Sequence, residues 1–340
     1  MTGTHRIFGL ELSPYSVKVR SYFRYKAIPH EWIVRSAATM PEFSKYAKLP
    51  LIPLVVTPDE RGLQDSTPIL DHFEALHPDP SIHPPEPEAA FLSALIEEYA
   101  DEWGNKPMFH YRWSYEADQR SAAERIARAN LPDASDAELA GPCEAIRQRM
   151  VSRLGFVGSS PAMRAPIEGS FERQLALLEP HLATRHYLFG GRPALADFGL
   201  YAQLYQCLTD PTPGALLRAR APRVVAWIER MLDPKAEGLF EPWKALEPTL
   251  LPLLQQEVGG VFFPWTLANA RALAAGEKQL SCTIDGHPFS QDTQKYHARS
   301  LDALRARYAR VADRAALDAI LARAGCLAPV QQPVSAAVGD

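Results

Sequence analysis

Ile7-Phe8-Gly9-Leu10-Glu11-Leu12-Ser13-Pro14-Tyr15-Ser16 is the stretch on which the fold turns. Its first half is an apolar run suited to a buried strand, and Ser13 with Pro14 behind it reads as an N-cap with proline in a helix's first turn. Val17, Tyr22 and Phe23 give that helix an apolar face, and Lys18, Arg20, Arg24 and Lys26 are expected to face water. Downstream, 32–34 reads as a second strand, 41–47 as a short helical or irregular piece, 54–57 as a third strand and 63–64 as a brief fourth. Ser66 is expected to cap a helix whose Ile69, Leu70, Phe73 and Leu76 share one face. The order is β-α-β-α-β-β-α.

Residues 77–87 hold five prolines, which break any helix or ladder, and so mark a linker. Beyond it, helical patterns run over 89–104, 117–130, 136–154, 170–182, 194–208 and 223–232, so the second domain is expected to be all α. Asp285-Gly286 between two apolar runs suits a tight hairpin, with helices over 293–311 and 314–324 to follow. The expected organisation is an α/β domain at 1–77, a linker at 78–88, a helical domain at 89–258, an extension at 259–328 and a mobile tail at 329–340.

The 340 residues suffice for two buried cores. A composition 46% hydrophobic and 22% charged speaks against a disordered, collagen-like or coiled-coil chain. A net charge of −4 supplies no global basic field, so neither nucleic acid nor an anionic membrane is an expected partner. Cys143, Cys207, Cys282 and Cys326 match neither a zinc site nor a compact disulfide framework and are expected as reduced thiols. No charged-then-apolar leader follows Met1, and no apolar run has spanning length, so a cytoplasmic protein is expected.

Ser13-Pro14-Tyr15-Ser16 stands where a glutaredoxin carries Cys-Pro-Tyr-Cys, and the first domain resembles the thioredoxin-like half of glutathione transferases. Ile52-Pro53 looks like the family's cis-proline pair, Asp65-Ser66 like its Glu/Gln-Ser pair, and a proline linker and helical domain follow in the same order. The resemblance implies a thioredoxin-like N-terminal domain followed by an all-α domain, with the segment after 258 an extension found in long bacterial members. It implies glutathione as cosubstrate, no metal, a homodimer and a detoxifying conjugation to a small hydrophobic electrophile.

Glutathione's thiol must become thiolate before it attacks. Ser13 is the first candidate to stabilise that anion, by its hydroxyl and by the open N–H groups and dipole of the helix start. Ser16, one turn on, is the alternative, and Tyr15 offers a phenol beside them or an aromatic packing under the helix. A plain capping role for Ser13 is compatible with thiolate contact. No cysteine stands in the first domain, which speaks against thiol-disulfide exchange. By the resemblance, cis Pro53 would let Ile52 present its backbone edge to the cysteinyl unit, and Asp65 would meet the γ-glutamyl ammonium. Ser66 would hold the γ-glutamyl carboxylate at a helix start, and Lys48 could meet the glycyl carboxylate.

In the second domain Tyr99, Trp103 and Tyr111 belong to the densest aromatic cluster and are the candidates for an electrophile pocket, with a packed core as the rival reading. His110 and Arg112 read as satisfied polar residues near a surface. Ala194 replaces the hydroxyl of the family's capping box, and Asp197 is expected to bond backward to the open N–H groups. Two further readings stay open: a non-catalytic ligand-binding or scaffold protein of the same fold, and a lid or partner-binding role for the extension.

Overall fold

A computed structural model describes residues 3–333. The chain opens with strand β1 (His5–Gly9), helix α1 (Pro14–Tyr25), strand β2 (His30–Val34), helix α2 (Met40–Tyr46), strands β3 (Leu54–Val56) and β4 (Gly62–Gln64) and helix α3 (Ser66–Leu76). The sheet runs β2-β1-β3-β4, with β1 parallel to β2, antiparallel to β3, and β3 antiparallel to β4. Successive side chains of a strand point to opposite faces. Ile7 and Val55 therefore join a core with Val17, Tyr22, Phe23 and Phe73 of α1 and α3, while Phe8, Leu54 and Val56 close a smaller one on Phe43 of α2. This is the thioredoxin-like layering.

Two expectations fail locally. Of the four basic residues assigned to water on α1, only Arg24 is exposed. The Lys18 ammonium is fully buried and pairs with Glu97 and, at 2.6 Å, with Asp101, while Arg20 pairs with Glu11 at 2.6 Å and Lys26 with Glu74 at 2.7 Å. The helix is covered on both sides, so its charges are neutralised from other elements instead of by solvent. The helix before which Ser66 was to stand begins at Ser66 itself, and Asp65 holds the capping position without a side-chain bond to the helix's own N–H groups.

After the proline segment come α4 (Pro87–Glu102), α5 (Asn105–Ser114), α6 (Glu116–Asn130), α7 (Asp136–Val151), a 3₁₀ turn (Leu154–Val157), α8 (Arg164–His181), α9 (Leu195–Thr209), α10 (Pro211–Arg220) and α11 (Pro222–Arg230). Central α9 packs on α1 and α4. Asp197 accepts from the Leu188 and Ala194 N–H groups, each at 2.8 Å, and from Trp227 Nε1 at 2.9 Å, which supplies the helix start that Ala194 cannot.

A continuous helical stretch follows: α12 (Trp243–Leu253), a π-helical segment (Leu254–Phe262) and α13 (Phe263–Ala274). The boundary expected between 258 and 259 falls inside it. Strands β5 (Gln279–Ile284) and β6 (His287–Asp292) form the hairpin, and both Asp285 and Gly286 have positive φ, as a two-residue turn of this hand requires. Helices α14 (Lys295–Ala309), α15 (Ala315–Arg323) and α16 (Leu327–Gln331) complete the described chain. Pro329 and Val330 are buried in α16, so the mobile tail expected from 329 does not begin there, and its residues 334–340 lie outside the described residues. The main core runs from Ile7 to Val330 without a break between domain and extension.

Helix α14 lies against α4. Glu102 and His297 hydrogen-bond between them, and burial raises the carboxyl and lowers the imidazole, which favours the uncharged form of each. Among the described residues no helix is long and apolar enough to cross a membrane, and no group of three or more His, Cys, Asp or Glu is placed to hold a metal ion. All four cysteines are free thiols.

Candidate functional site

Ser13 caps α1 in an extended conformation, φ −103° and ψ 114°, and its hydroxyl accepts from the Ser16 N–H at 3.3 Å. That bond uses the oxygen as acceptor and leaves the hydroxyl's own O–H free to donate to a second partner. Pro14 has no N–H, and the Ser16 and Val17 N–H groups bond the Ser13 carbonyl at 3.1 Å, so the Tyr15 N–H is the open donor of this helix start. Ser16 faces the other way: it is fully buried, its Oγ has no partner, and Gly9 of β1 packs close to its Cβ.

The Tyr15 hydroxyl donates to the Asp101 carbonyl at 2.9 Å and accepts from Asn105 Nδ2 at 3.1 Å. Burial, with the Asp101 and Glu102 charges behind it, pushes this phenol well above its ordinary range. Tyr15 is thus a neutral strut between α1 and the helical layer. The Ile52–Pro53 bond is cis. The loop before it is shaped by Gln64, whose amide donates to the Leu49 and Leu51 carbonyls at 2.8 Å and accepts from the Lys48 N–H at 2.7 Å. Gln64 escapes sequence reasoning because its bonds are to backbone 13 to 16 positions away.

Ser13, Tyr15 and Ile52 line one cleft of about 670 Å³ between the sheet domain and the helices. Lys48, Asp65 and Ser66 lie outside it. The Lys48 side chain is exposed, Ser66 is buried at the start of α3, and the Asp65 carboxylate accepts from the Tyr296 hydroxyl of α14 at 3.0 Å.

The aromatic trio expected to form an electrophile pocket is core. Tyr99 donates to Glu257 at 3.0 Å, Trp103 Nε1 donates to Ser170 Oγ at 2.9 Å, and Tyr111 stacks on Tyr115, all with at most 1% exposure. The shared face of Tyr99 and Trp103 turns toward the π-helical segment and hairpin, which cover it. The cleft instead takes Asn105, Met108, Phe109, Arg112 and Trp113, an i, i+3, i+4, i+7, i+8 stripe on α5. That periodicity is present in the sequence and is the signal that could have found the wall. Ile126, Met150 and Val157 extend its apolar surface. Arg112 is a satisfied residue in the cleft wall, with Nε on Asp210 at 2.7 Å and Nη1 on the Leu12 carbonyl at 2.9 Å, and His110 is buried between Ser159 and Glu168.

The model of the glutathione S-transferase N-terminal domain matches residues 7–81, and that of the C-terminal domain matches residues 130–230. No curated protein matches. Among solved structures, a glutathione S-transferase from Methylobacterium radiotolerans in complex with glutathione sulfonate is 20% identical, covering 71% of this chain and 97% of its own, with a TM-score of 0.43. One from Rhodospirillum rubrum is 15% identical, covering 72% and 98%, with a TM-score of 0.41. A beta-etherase from Sphingobium is 18% identical, covering 67% and 95%, with a TM-score of 0.46.

Proposed function

The chain belongs to the glutathione S-transferase family, and from that membership we propose that it binds glutathione and transfers it to an electrophile. The thiol gives its proton to solvent, the sulfur lone pair forms a carbon–sulfur bond, and the leaving group departs with the electron pair that bound it. Ser13 stabilises the thiolate by a hydrogen bond, aided by the open Tyr15 N–H and the α1 dipole. Ile52 offers its backbone edge to the cysteinyl unit. Asp65 meets the γ-glutamyl ammonium, Ser66 its carboxylate, and Lys48 the glycyl carboxylate. The electrophile rests on Met108, Phe109 and Trp113 of the α5 stripe, which replace the aromatic trio in that role. Holding both reactants in one cleft supplies proximity.

The observation that carries this reading is that Ser13, a helix cap whose own O–H is free to donate, shares the cleft wall with Ile52 of the cis Ile52–Pro53 bond. The test is the ultraviolet absorbance of bound thiolate, titrated from about pH 5 to 9 around the free-thiol value near 8.5. The expected onset lies well below that of free glutathione and is lost in Ser13→Ala. Binding without thiolate at neutral pH would overturn conjugation and leave a ligand-binding protein of the same fold. The family also suggests a cytosolic homodimer, which sedimentation velocity reads directly.

A further inference from the structure

The charged residues that line the cleft are all of one sign. Arg35, Arg112, Arg149 and Arg153 line it, and no Asp or Glu does, although the chain holds 40 acidic residues against 36 basic ones. Arg112 is neutralised from behind by Asp210. Among the described residues, Arg35, Arg149 and Arg153 make no salt bridge, and the buried Nε of Arg35 has no hydrogen-bond partner at all. The groove on the far side of α7 shows the contrast. There Arg120 pairs with Glu116, Arg128 with Glu124 and Asp136, and Arg147 with Glu144. Helix α7 thus turns the paired Arg147 toward that groove and the unpaired Arg149 toward the cleft, with Arg153 just beyond its end.

Arg35 follows β2 on the wall that holds Ser13 and Ile52, and it faces the glutathione half, itself an anionic peptide. Arg149 and Arg153 stand on the helical wall, beside Met150 and within the same cleft as Met108, Phe109 and Trp113. Resting on the glutathione site proposed above, we propose that the second substrate is an amphipathic anion: an apolar body for the α5 stripe and a carboxylate for Arg149 and Arg153. Guanidinium suits this task, because its planar fork matches a carboxylate and stays charged at any working pH. A neutral electrophile would leave both arginines unused at the mouth of the cleft.

Calorimetric titration with S-benzylglutathione and S-(4-carboxybenzyl)glutathione separates the two levels of the argument. The carboxylated conjugate is expected to bind about tenfold more tightly to the unaltered protein at low salt. That ratio should fall to within about twofold in Arg149→Gln/Arg153→Gln and be largely kept in Arg149→Lys/Arg153→Lys. Both variants alter exposed side chains, and their folding is checked by thermal melting. Equal affinities in the unaltered protein, or a preference that survives the double glutamine variant, would overturn the anion assignment while leaving the glutathione site standing. If neither conjugate binds, the glutathione site itself is refuted and the anion proposal falls with it.

Discussion

The Tyr296 hydroxyl donates a hydrogen bond to Oδ2 of Asp65 across 3.0 Å, joining α14 to the residue assigned here to the γ-glutamyl ammonium. A bound glutathione must share that carboxylate with the phenol or displace it, and an exchange of this kind is worth about 1 kcal/mol. Tyr296→Phe is expected to raise glutathione affinity about two- to fivefold by calorimetry. A drop in affinity would mean that the phenol orients Asp65 for the ligand and does not compete with it.

The two serines of the first motif should separate cleanly. Ser16→Ala removes a buried hydroxyl with no partner, so stability should hold or rise by up to about 1 kcal/mol, with the thiolate titration unchanged. Ser13→Ala should cost about 0.5–1 kcal/mol as a lost cap and also abolish the thiolate shift. Urea unfolding of both variants, beside the absorbance titration, reads the two effects.

Lys18 is the most consequential charge in the sheet domain's contact with α4. Its ammonium bonds Glu97, Asp101 at 2.6 Å and Thr67 Oγ1 at 3.0 Å, with no exposure. Lys18→Met leaves two buried carboxylates without their cation, a change of about 3–5 kcal/mol. A fall in melting temperature of roughly 5–10 °C is expected. A fall under about 2 °C would show that desolvation of the three charges cancels what their pairing returns.

Burial holds the His181 imidazole at about 4, against an ordinary value of 6.5, where it bonds Thr249 Oγ1 at 2.7 Å and the Leu188 carbonyl at 2.9 Å. The unfolded chain takes up this proton as pH falls through 6.5, and the folded chain only near 4. The stability it protects is present above pH 6.5 and is lost on acidification across that window, reaching about 3 kcal/mol at most. His181→Gln should flatten the dependence of urea stability on pH between about 6.5 and 4.5 relative to the unaltered protein. Parallel curves would assign acid sensitivity to other groups.

The sheet domain was readable because its signals are local. Ser13-Pro14 marks a strand-to-helix junction, and the alternation of Ile7 and Phe8 already sorts the two faces of the sheet. What could not be read depends on partners far along the chain. Lys18 looks like a solvated residue until Glu97 and Asp101, 79 and 83 positions away, are folded against it. Tyr99 and Trp103 have the spacing of a single helical face, but spacing does not say whether a cleft or the hairpin covers that face. Pro248, Pro252 and the Gly259-Gly260 pair disguise the stretch from Trp243 to Ala274, which stays helical because its buried face is packed along its length. The loop shaped by Gln64 and the contact of Tyr296 with Asp65 leave no local trace at all.

One core joining Ile7 to Val330 also governs how the protein is made. At roughly 5–20 residues per second on the ribosome, tens of seconds separate the emergence of those two residues. The thioredoxin-like sheet can pair early, but α4 must wait with its acidic side bare until α14 arrives to cover it. The Asp65 end of the site is therefore finished only when α14, among the last elements to be made, docks.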